Sequence, residues 1–366
     1  MTRLRTLVPA MALATALATA LATAGCSSDG GKVARSTTTS TTVASTTSTT
    51  EAPTTTAAPV PVALAPLTGL PVDAATAAKL QRPALAVKID NSLDAMPQEG
   101  LNNTDIVFEI KVEGISRLMA VFHSQDADEI GPTRSARYSD PPILALLGRP
   151  LFGWSGANDG VVKDVYNSSW IVNVNWDKVK NSDYYRKAGR KAPHNLFTST
   201  GTLFAYARPG QGPPLSVFPY LGAGQANTGA QPVSGMALTV GDTPSSWVWD
   251  GSSGQWLRWQ YGRRDMTIGT GQANATNVVV IQTTYTGGSK QPTARTEGTG
   301  RAVVFTGGAA IEATWSRPSQ LQPITITGTD GQPVRLAPGR TWVAFTPGWT
   351  TSILSAEAAA GLISGP

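Results

Sequence analysis

Asp105-Ile106-Val107-Phe108-Glu109-Ile110-Lys111-Val112-Glu113, then Gly114-Ile115-Ser116, then Arg117-Leu118-Met119-Ala120-Val121-Phe122-His123-Ser124 is the stretch that sets the architecture. Two apolar runs flank a short break containing glycine, the pattern of two strands joined by a tight return. Leu85-Ala86-Val87-Lys88-Ile89-Asp90 reads as a buried strand ahead of them. Behind them the pattern predicts a short helix over Pro141 to Leu147 and a strand over Leu151 to Trp154. A helix over Asp159 to Tyr166 and a strand over Trp170 to Trp176 follow. Strands interleaved with helices imply a mixed α/β domain over residues 67–207.

Beyond it the pattern changes. Residues 208–233, rich in Gly, Pro, Gln and Ala, read as a linker or long loop. Over residues 234–350, short β-type runs such as Met236 to Val240, Trp256 to Tyr261, Asn277 to Thr284 and Thr341 to Phe345 are separated by turn pairs such as Asp250-Gly251 and Gly307-Gly308. Regular short strands with glycine turns predict a mainly antiparallel β domain, a sandwich or a barrel. Residues 351–366 form a tail with a short helix over Ser355 to Ile363. The expected fold class is therefore α+β.

The other end of the chain is built differently. Residues 1–25 carry Arg3 and Arg5, an Ala/Leu-rich run from Leu7 to Leu21, and then small residues, the pattern of a secretory signal. The run is shorter than the roughly 20 apolar residues a membrane span needs. It ends in Thr23-Ala24-Gly25-Cys26-Ser27, which resembles the lipobox of bacterial lipoproteins, with Thr23 where leucine is usual. Cys26 is therefore the expected lipidation site, and the chain is expected to be extracytoplasmic and anchored to the bacterial membrane. Residues 26–66 are nearly all Ser, Thr, Ala, Pro, Gly and Val and cannot bury enough apolar surface to fold, so a disordered tether is expected.

Composition narrows the function classes. The net charge is +5, but no block of consecutive Lys or Arg forms a phosphate-tracking stripe, so nucleic acid is not an expected partner. The single cysteine excludes an intrachain disulfide and a multi-cysteine metal site, and two histidines make a zinc site improbable. No Walker or dinucleotide fingerprint is present, and no metal or cofactor is expected.

Several stretches carry a family resemblance. Pro66-Leu67-Thr68-Gly69-Leu70-Pro71, Val87-Lys88-Ile89-Asp90-Asn91, Thr104-Asp105-Ile106-Val107-Phe108-Glu109, Ile130-Gly131-Pro132-Thr133-Arg134-Ser135-Ala136-Arg137 and Arg190-Lys191-Ala192-Pro193-His194-Asn195-Leu196 are among them. With Asn277-Val278-Val279-Val280 and Gly339-Arg340-Thr341-Trp342-Val343, they resemble the YerB family, lipoproteins defined by the DUF3048 domain pair. The second half departs from the pattern in one place: Arg263-Arg264-Asp265 stands where such sequences often carry His-x-Asp. The resemblance implies an envelope lipoprotein with two linked domains and supplies no reaction.

Chemistry is concentrated in the first half. On a strand, Glu109, Lys111 and Glu113 share one face, and a return at Gly114 brings Arg117 beside Glu113. Adding Arg134, Arg137 and Asp140 makes seven ionisable groups in a chain with only 14% charged residues. Such a cluster marks either a polar ligand site or a solvated sheet face with weak surface pairs. Arg134 and Arg137 could clamp a phosphate or carboxylate, whose oxygens match the guanidinium fork. His194 and Asn195 sit in a basic loop, where placement favours function over packing, whereas His123 lies in an apolar strand and reads as core.

The catalytic alternatives are weaker. Gly153-Trp154-Ser155-Gly156-Ala157 half-resembles a nucleophile elbow, and Ser155, His194 and Asp183 could make a triad, but the long α/β pattern of that fold is missing. Glu109 and Glu113 would lie roughly 13 Å apart along a strand, beyond either glycosidase spacing. No complete catalytic set is present. Seven tryptophans in the second half, Trp247 through Trp349, read as core rather than as sugar platforms. The sequence thus favours a binder of an anionic envelope polymer or envelope protein through Glu109, Glu113, Arg117, Arg134, Arg137, Asp140, His194 and Asn195. An enzyme acting on envelope glycan or its anionic precursors, and a protein–protein scaffold, are the alternatives.

Overall fold

The computed structural model describes residues 63–365; the expected signal segment, Cys26 and all but the last four residues of the expected tether lie outside them. Within those last four residues, Ala63–Leu64 pair with Pro71–Val72. The first half supplies five principal strands: β1 (Leu85–Ile89), β2 (Ile106–Lys111), β3 (Ser116–Phe122), β4 (Leu151–Gly153) and β5 (Val172–Asn173). Helices Asp140–Leu144 and Asp159–Asn167 come at the expected places. The first has prolines in its opening turn, where no intrahelical donor is lost, and Asn158 caps the second by accepting from the Val161 N–H. The tight return between β2 and β3 is real: Val112 N–H donates to the Ile115 carbonyl, and Gly114 takes φ +78°.

The second half adds β6 (Gly235–Val240), β7 (Thr243–Asp250), β8 (Gln255–Gln260), β9 (Asn277–Thr283), β10 (Gly298–Thr306), β11 (Ala309–Arg317) and β12 (Thr341–Pro347). The main sheet draws on both halves, in the order β11-β10-β9-β12-β2-β3-β1-β4-β5 along its principal strands. β12, from near the end of the chain, runs parallel to β9 on one side and to β2 on the other, with Ala344 opposite Glu109. Residues 67–207 and 234–350 are therefore two segments of sequence that build one sheet. The expected linker is packed into it: Val217 and Phe218 are core residues, and Gln231–Pro232 add an edge strand to β11.

Both faces of the main sheet are covered, which explains why β2 and β3 read as nearly continuous apolar runs rather than as alternating ones. On one face Phe108, Val121, Ile281 and Phe345 join one core with Ile143, Val161 and Val165 of the helical layer and with Trp154 just past β4. On the other, a second, antiparallel sheet of β6, β7 and β8 lays Met236, Leu238, Trp247 and Trp256 against Val278, Val280, Phe305 and Trp342. The second half is thus sandwich-like, and neither sheet closes into a barrel among the described residues. Trp247, Trp256, Trp259, Trp315 and Trp342 are core, as the alternating pattern implied, and only Trp249 and Trp349 are partly buried. Truncating one buried tryptophan to alanine would cost roughly 3–5 kcal/mol. The helix Ala356–Ser364 closes the outer side of the second sheet through Ala359, against Val248 and Trp259.

Candidate functional site

Lys88 is directed to the helical side of β1, and Asp90 follows it two residues on. Ile89 pairs with Leu118, so Asp90 and Arg117 come opposite one another just past the end of that ladder. The Gly131–Ser135 segment then folds along β1: Asp90 N–H donates to the Pro132 carbonyl, and Arg134 N–H donates to the Lys88 carbonyl at 3.0 Å. Arg137 and Asp140 close a turn in which Arg137 N–H donates to Asp140 Oδ2 at 2.7 Å. Three sequence-distant segments thus bring Lys88, Asp90, Arg117, Arg134, Arg137 and Asp140 together.

Most of these charges are matched. Lys88 Nζ lies 2.8 Å from Asp140 Oδ1 with both side chains fully buried; removing either partner would cost roughly 3–5 kcal/mol. Arg137 grips Glu113 bidentately at 2.8 and 2.6 Å. Burial pushes the Glu113 carboxyl up, but the Arg137 hydrogen bonds outweigh it and hold the group below its usual range. Asp90 takes His194 Nδ1 at 2.7 Å and Arg134 Nε at 2.9 Å. Arg134 does not aim that N–H at the oxygen, so the contact is an ion pair without a hydrogen bond. Burial raises the Asp90 carboxyl, and Arg134 and Arg117 more than reverse it, leaving it below the usual range.

Arg117 is the exception. It is 5% exposed, and its Nε and Nη1 are buried with no hydrogen-bond partner among the described residues. Burial and the neighbouring Arg137 lower its pKa to about 10, with Asp90 working against them. It therefore keeps its charge at neutral pH. The cluster holds one guanidinium more than its own carboxylates neutralise.

The other expected site residues separate. Glu109 points to the opposite face of the sheet, fully buried, where it accepts from Ser116 Oγ, Trp342 Nε1 and Arg258 Nη2. The reading that put Glu109, Lys111 and Glu113 on one face is thereby corrected: β2 ends at Lys111, and the turn carries Glu113 to the Arg137 side. Arg117 stands opposite Ile110 in the ladder, and the turn leaves Glu113 near enough that its charge favours the ionised form of Arg117. Asn195 is buried in its loop, accepting from Arg186 Nη1 at 2.7 Å and donating to the Arg190 carbonyl. Ser155 Oγ donates to the Thr133 carbonyl, His194 faces Asp90, and Asp183 serves Tyr206 and Lys180, so the triad does not form. His123 is fully buried with Nε2 on the Leu80 and Arg82 carbonyls, and burial lowers its pKa to about 4. Among the described residues no three His, Cys, Asp or Glu side chains gather as a metal ion requires.

Sequence reasoning missed Lys88 and Asp90, which hold the cluster together. Their signal was a charge at each alternate place of an otherwise apolar strand that is buried on both faces. It also missed a cleft of about 270 Å³ beside Arg134, walled by Ser155, Trp176, Asp177, Arg186 and Pro193. Arg186 Cζ lies 5.5 Å from the centre of the Trp176 ring. A larger cleft of about 450 Å³ lies in the second half beside Arg295, Arg301 and Trp315. There Arg301 is paired with Glu312, and no lining residue leaves a buried polar atom unmatched, so it offers a ligand less.

The DUF3048 N-terminal domain, described as a protein of unknown function, matches residues 67–211, and the corresponding C-terminal domain matches residues 236–343. The chain belongs to this YerB-like DUF3048 family. It is 33% identical over 141 residues to "Putative lipoprotein YerB" of Bacillus subtilis (strain 168); the match covers 37% of this chain and 40% of that relative's length. The crystal structure of the Bacillus subtilis YerB protein superposes with a TM-score of 0.68 at 24% identity, covering 80% of this chain and 100% of that one, a likeness of fold. No helix among the described residues is long and apolar enough to cross a membrane.

Proposed function

We propose that this protein is an extracytoplasmic lipoprotein, anchored through Cys26, whose first half binds an anionic ligand of the cell envelope at Arg117 and Arg134. The anchor rests on the signal pattern ending in Cys26 and on the likeness to a protein designated a lipoprotein. The binding reading rests on one observation: Arg117 holds two buried N–H donors without an acceptor, beside Arg134 and Arg137. Each unmatched buried donor costs about 1–3 kcal/mol, a cost an incoming carboxylate or phosphate oxygen removes. Arg137 and Lys88 are already engaged and hold the frame, while His194 fixes the Asp90 carboxylate.

The test uses the full chain in detergent, titrated with inorganic pyrophosphate and with a glycerol-phosphate oligomer. Arg117→Met keeps the length and removes the charge; it should weaken both anions by about tenfold or more, the effect of losing a charge-assisted hydrogen bond of roughly 1.5–3 kcal/mol. Equal affinity in wild type and variant would refute the site. Cys26→Ser should release the protein from membranes on fractionation, and retention there would refute the anchor.

A further inference from the structure

We infer that the cleft between Arg134 and Arg186 receives one acidic sugar residue, a pyranose bearing a carboxylate or a phosphate, as part of the anionic ligand proposed above, on which this inference rests. The cleft has an unusual mixture of walls for a bare anion site. Arg134 and Arg186 bring two guanidinium groups to it, and Arg134 is also a member of the Asp90 cluster. Asp177 places a carboxylate in the same space. An anion with nothing else to offer would meet the attraction of the two guanidinium groups and the repulsion of Asp177 together; a ligand that also carries hydroxyl donors would be matched to both.

The remaining walls fit that division. Ser155 uses its proton on the Thr133 carbonyl at 3.1 Å, so its oxygen is left to accept from a ligand hydroxyl. Half-buried Trp176 offers an aromatic surface of the kind against which the C–H face of a sugar ring packs. About 270 Å³ has room for one ring and not for an extended polymer. Arg186 is positioned before any ligand arrives, since Asn195 Oδ1 takes its Nη1 at 2.7 Å and the Trp176 ring lies beneath its guanidinium. Asn195, expected from sequence to contact ligand, is thereby a positioning residue.

Four probes separate the possibilities on the full chain by titration calorimetry: glucuronate, glucose 1-phosphate, glucose and inorganic phosphate. At least one acidic sugar should bind roughly tenfold or more tightly than glucose and than phosphate, because a site that pairs both hydroxyl and anion rejects a ligand lacking either. Which of the two binds tells whether the anionic source is a carboxylate or a phosphate ester. Asp177→Asn should narrow the preference for the acidic sugar over phosphate, and Arg186→Met should weaken the acidic sugar while leaving phosphate unchanged. Both side chains are exposed, so folding of the variants is not at stake.

Phosphate binding as tightly as the acidic sugars, and still weakened by Arg117→Met, overturns the sugar assignment and leaves the anion site standing. A preference untouched by either Asp177→Asn or Arg186→Met also overturns it. Failure of wild type to bind any of the three anions overturns both readings.

Discussion

Two buried charge clusters lie on opposite faces of the same sheet, and they solve the same problem differently. On the side of the second sheet, Arg258 is fully buried between Glu109 and Asp265, with Trp342 and Trp247 rings beside its guanidinium. Two carboxylates face one cation there, so the excess is negative. On the helical side, around Arg117, the excess is positive. A buried carboxyl can take a proton from water, and Asp265 leans that way: burial raises its pKa above the usual range, with Arg258 only partly opposing. A guanidinium cannot shed its proton near neutrality, and at about 10 Arg117 does not. The first cluster can be neutral by itself, although Arg258 Nε and Asp265 Oδ1 are buried there without a partner among the described residues. The second cannot lose its surplus charge in this way, and the proposed anion site rests on that difference.

The largest expected effect breaks the closed cluster. Arg258→Met leaves Glu109 and Asp265 buried without their cation and should cost roughly 3–5 kcal/mol in denaturant unfolding. Since β12 and β2 are held beside this network through Trp342 and Glu109, the loss should appear as one transition of the whole sheet. Arg117→Met, by the same measurement, removes a charge that Asp90 and Glu113, shared with Arg134 and Arg137, balance only in part, and should be neutral or stabilising by up to about 1 kcal/mol. Should the two variants destabilise alike, Arg117 has a partner in the folded chain and the contrast between the clusters fails.

Next in size is a difference in pH dependence. The Asp265 pKa is raised when folded, so its contribution is fully present below the unfolded value near 3.8 and is lost as pH rises through the folded pKa. The stability of wild type minus that of Asp265→Asn should therefore fall as pH increases above 3.8. The slope can reach about 1.4 kcal/mol per pH unit where one proton separates the states. Asp90 is depressed, so its contribution is present above 3.8 and is lost as pH falls through the folded pKa. The corresponding difference for Asp90→Asn should fall toward acid. Two difference curves sloping the same way would erase the distinction.

Much of the sheet was legible because burial on both faces writes itself as long apolar runs: β1, β2, β3, β9 and β12 all fall where such runs were read. Its continuity was not legible. Nothing local to Thr341-Trp342-Val343 says that this strand inserts parallel between β9 and β2, because parallel pairing is decided by segments far apart in sequence. The candidate site divides in the same way. Arg117, Arg134, Arg137 and Glu113 were visible as charges near turns. Glu109 misled because alternation along a strand was extended past Lys111, where the strand ends. Asp90 and Lys88 were passed over because one charge among apolar residues looks like a tolerated exception, although full burial forces such a group to have a partner.

The smallest effect is also the one whose sign is most informative. Glu113 is over a third exposed, and its pair with Arg137 is screened, so Glu113→Gln should change stability by no more than about 1 kcal/mol. Its effect on binding should run against the ordinary expectation that a substitution at a site does harm. The change removes the one negative charge that occupies Arg137 and leaves a second guanidinium beside Arg117 unmatched. Pyrophosphate affinity should then rise, by roughly two- to fivefold if the released pair energy is of the order of 0.5–1 kcal/mol. The gain should shrink as salt is added, because part of it is Coulombic and open to solvent. A loss of affinity instead would mean that the Glu113 carboxylate holds Arg137 in the orientation that receives the anion, and that the pair acts as one unit rather than as a competitor for the ligand.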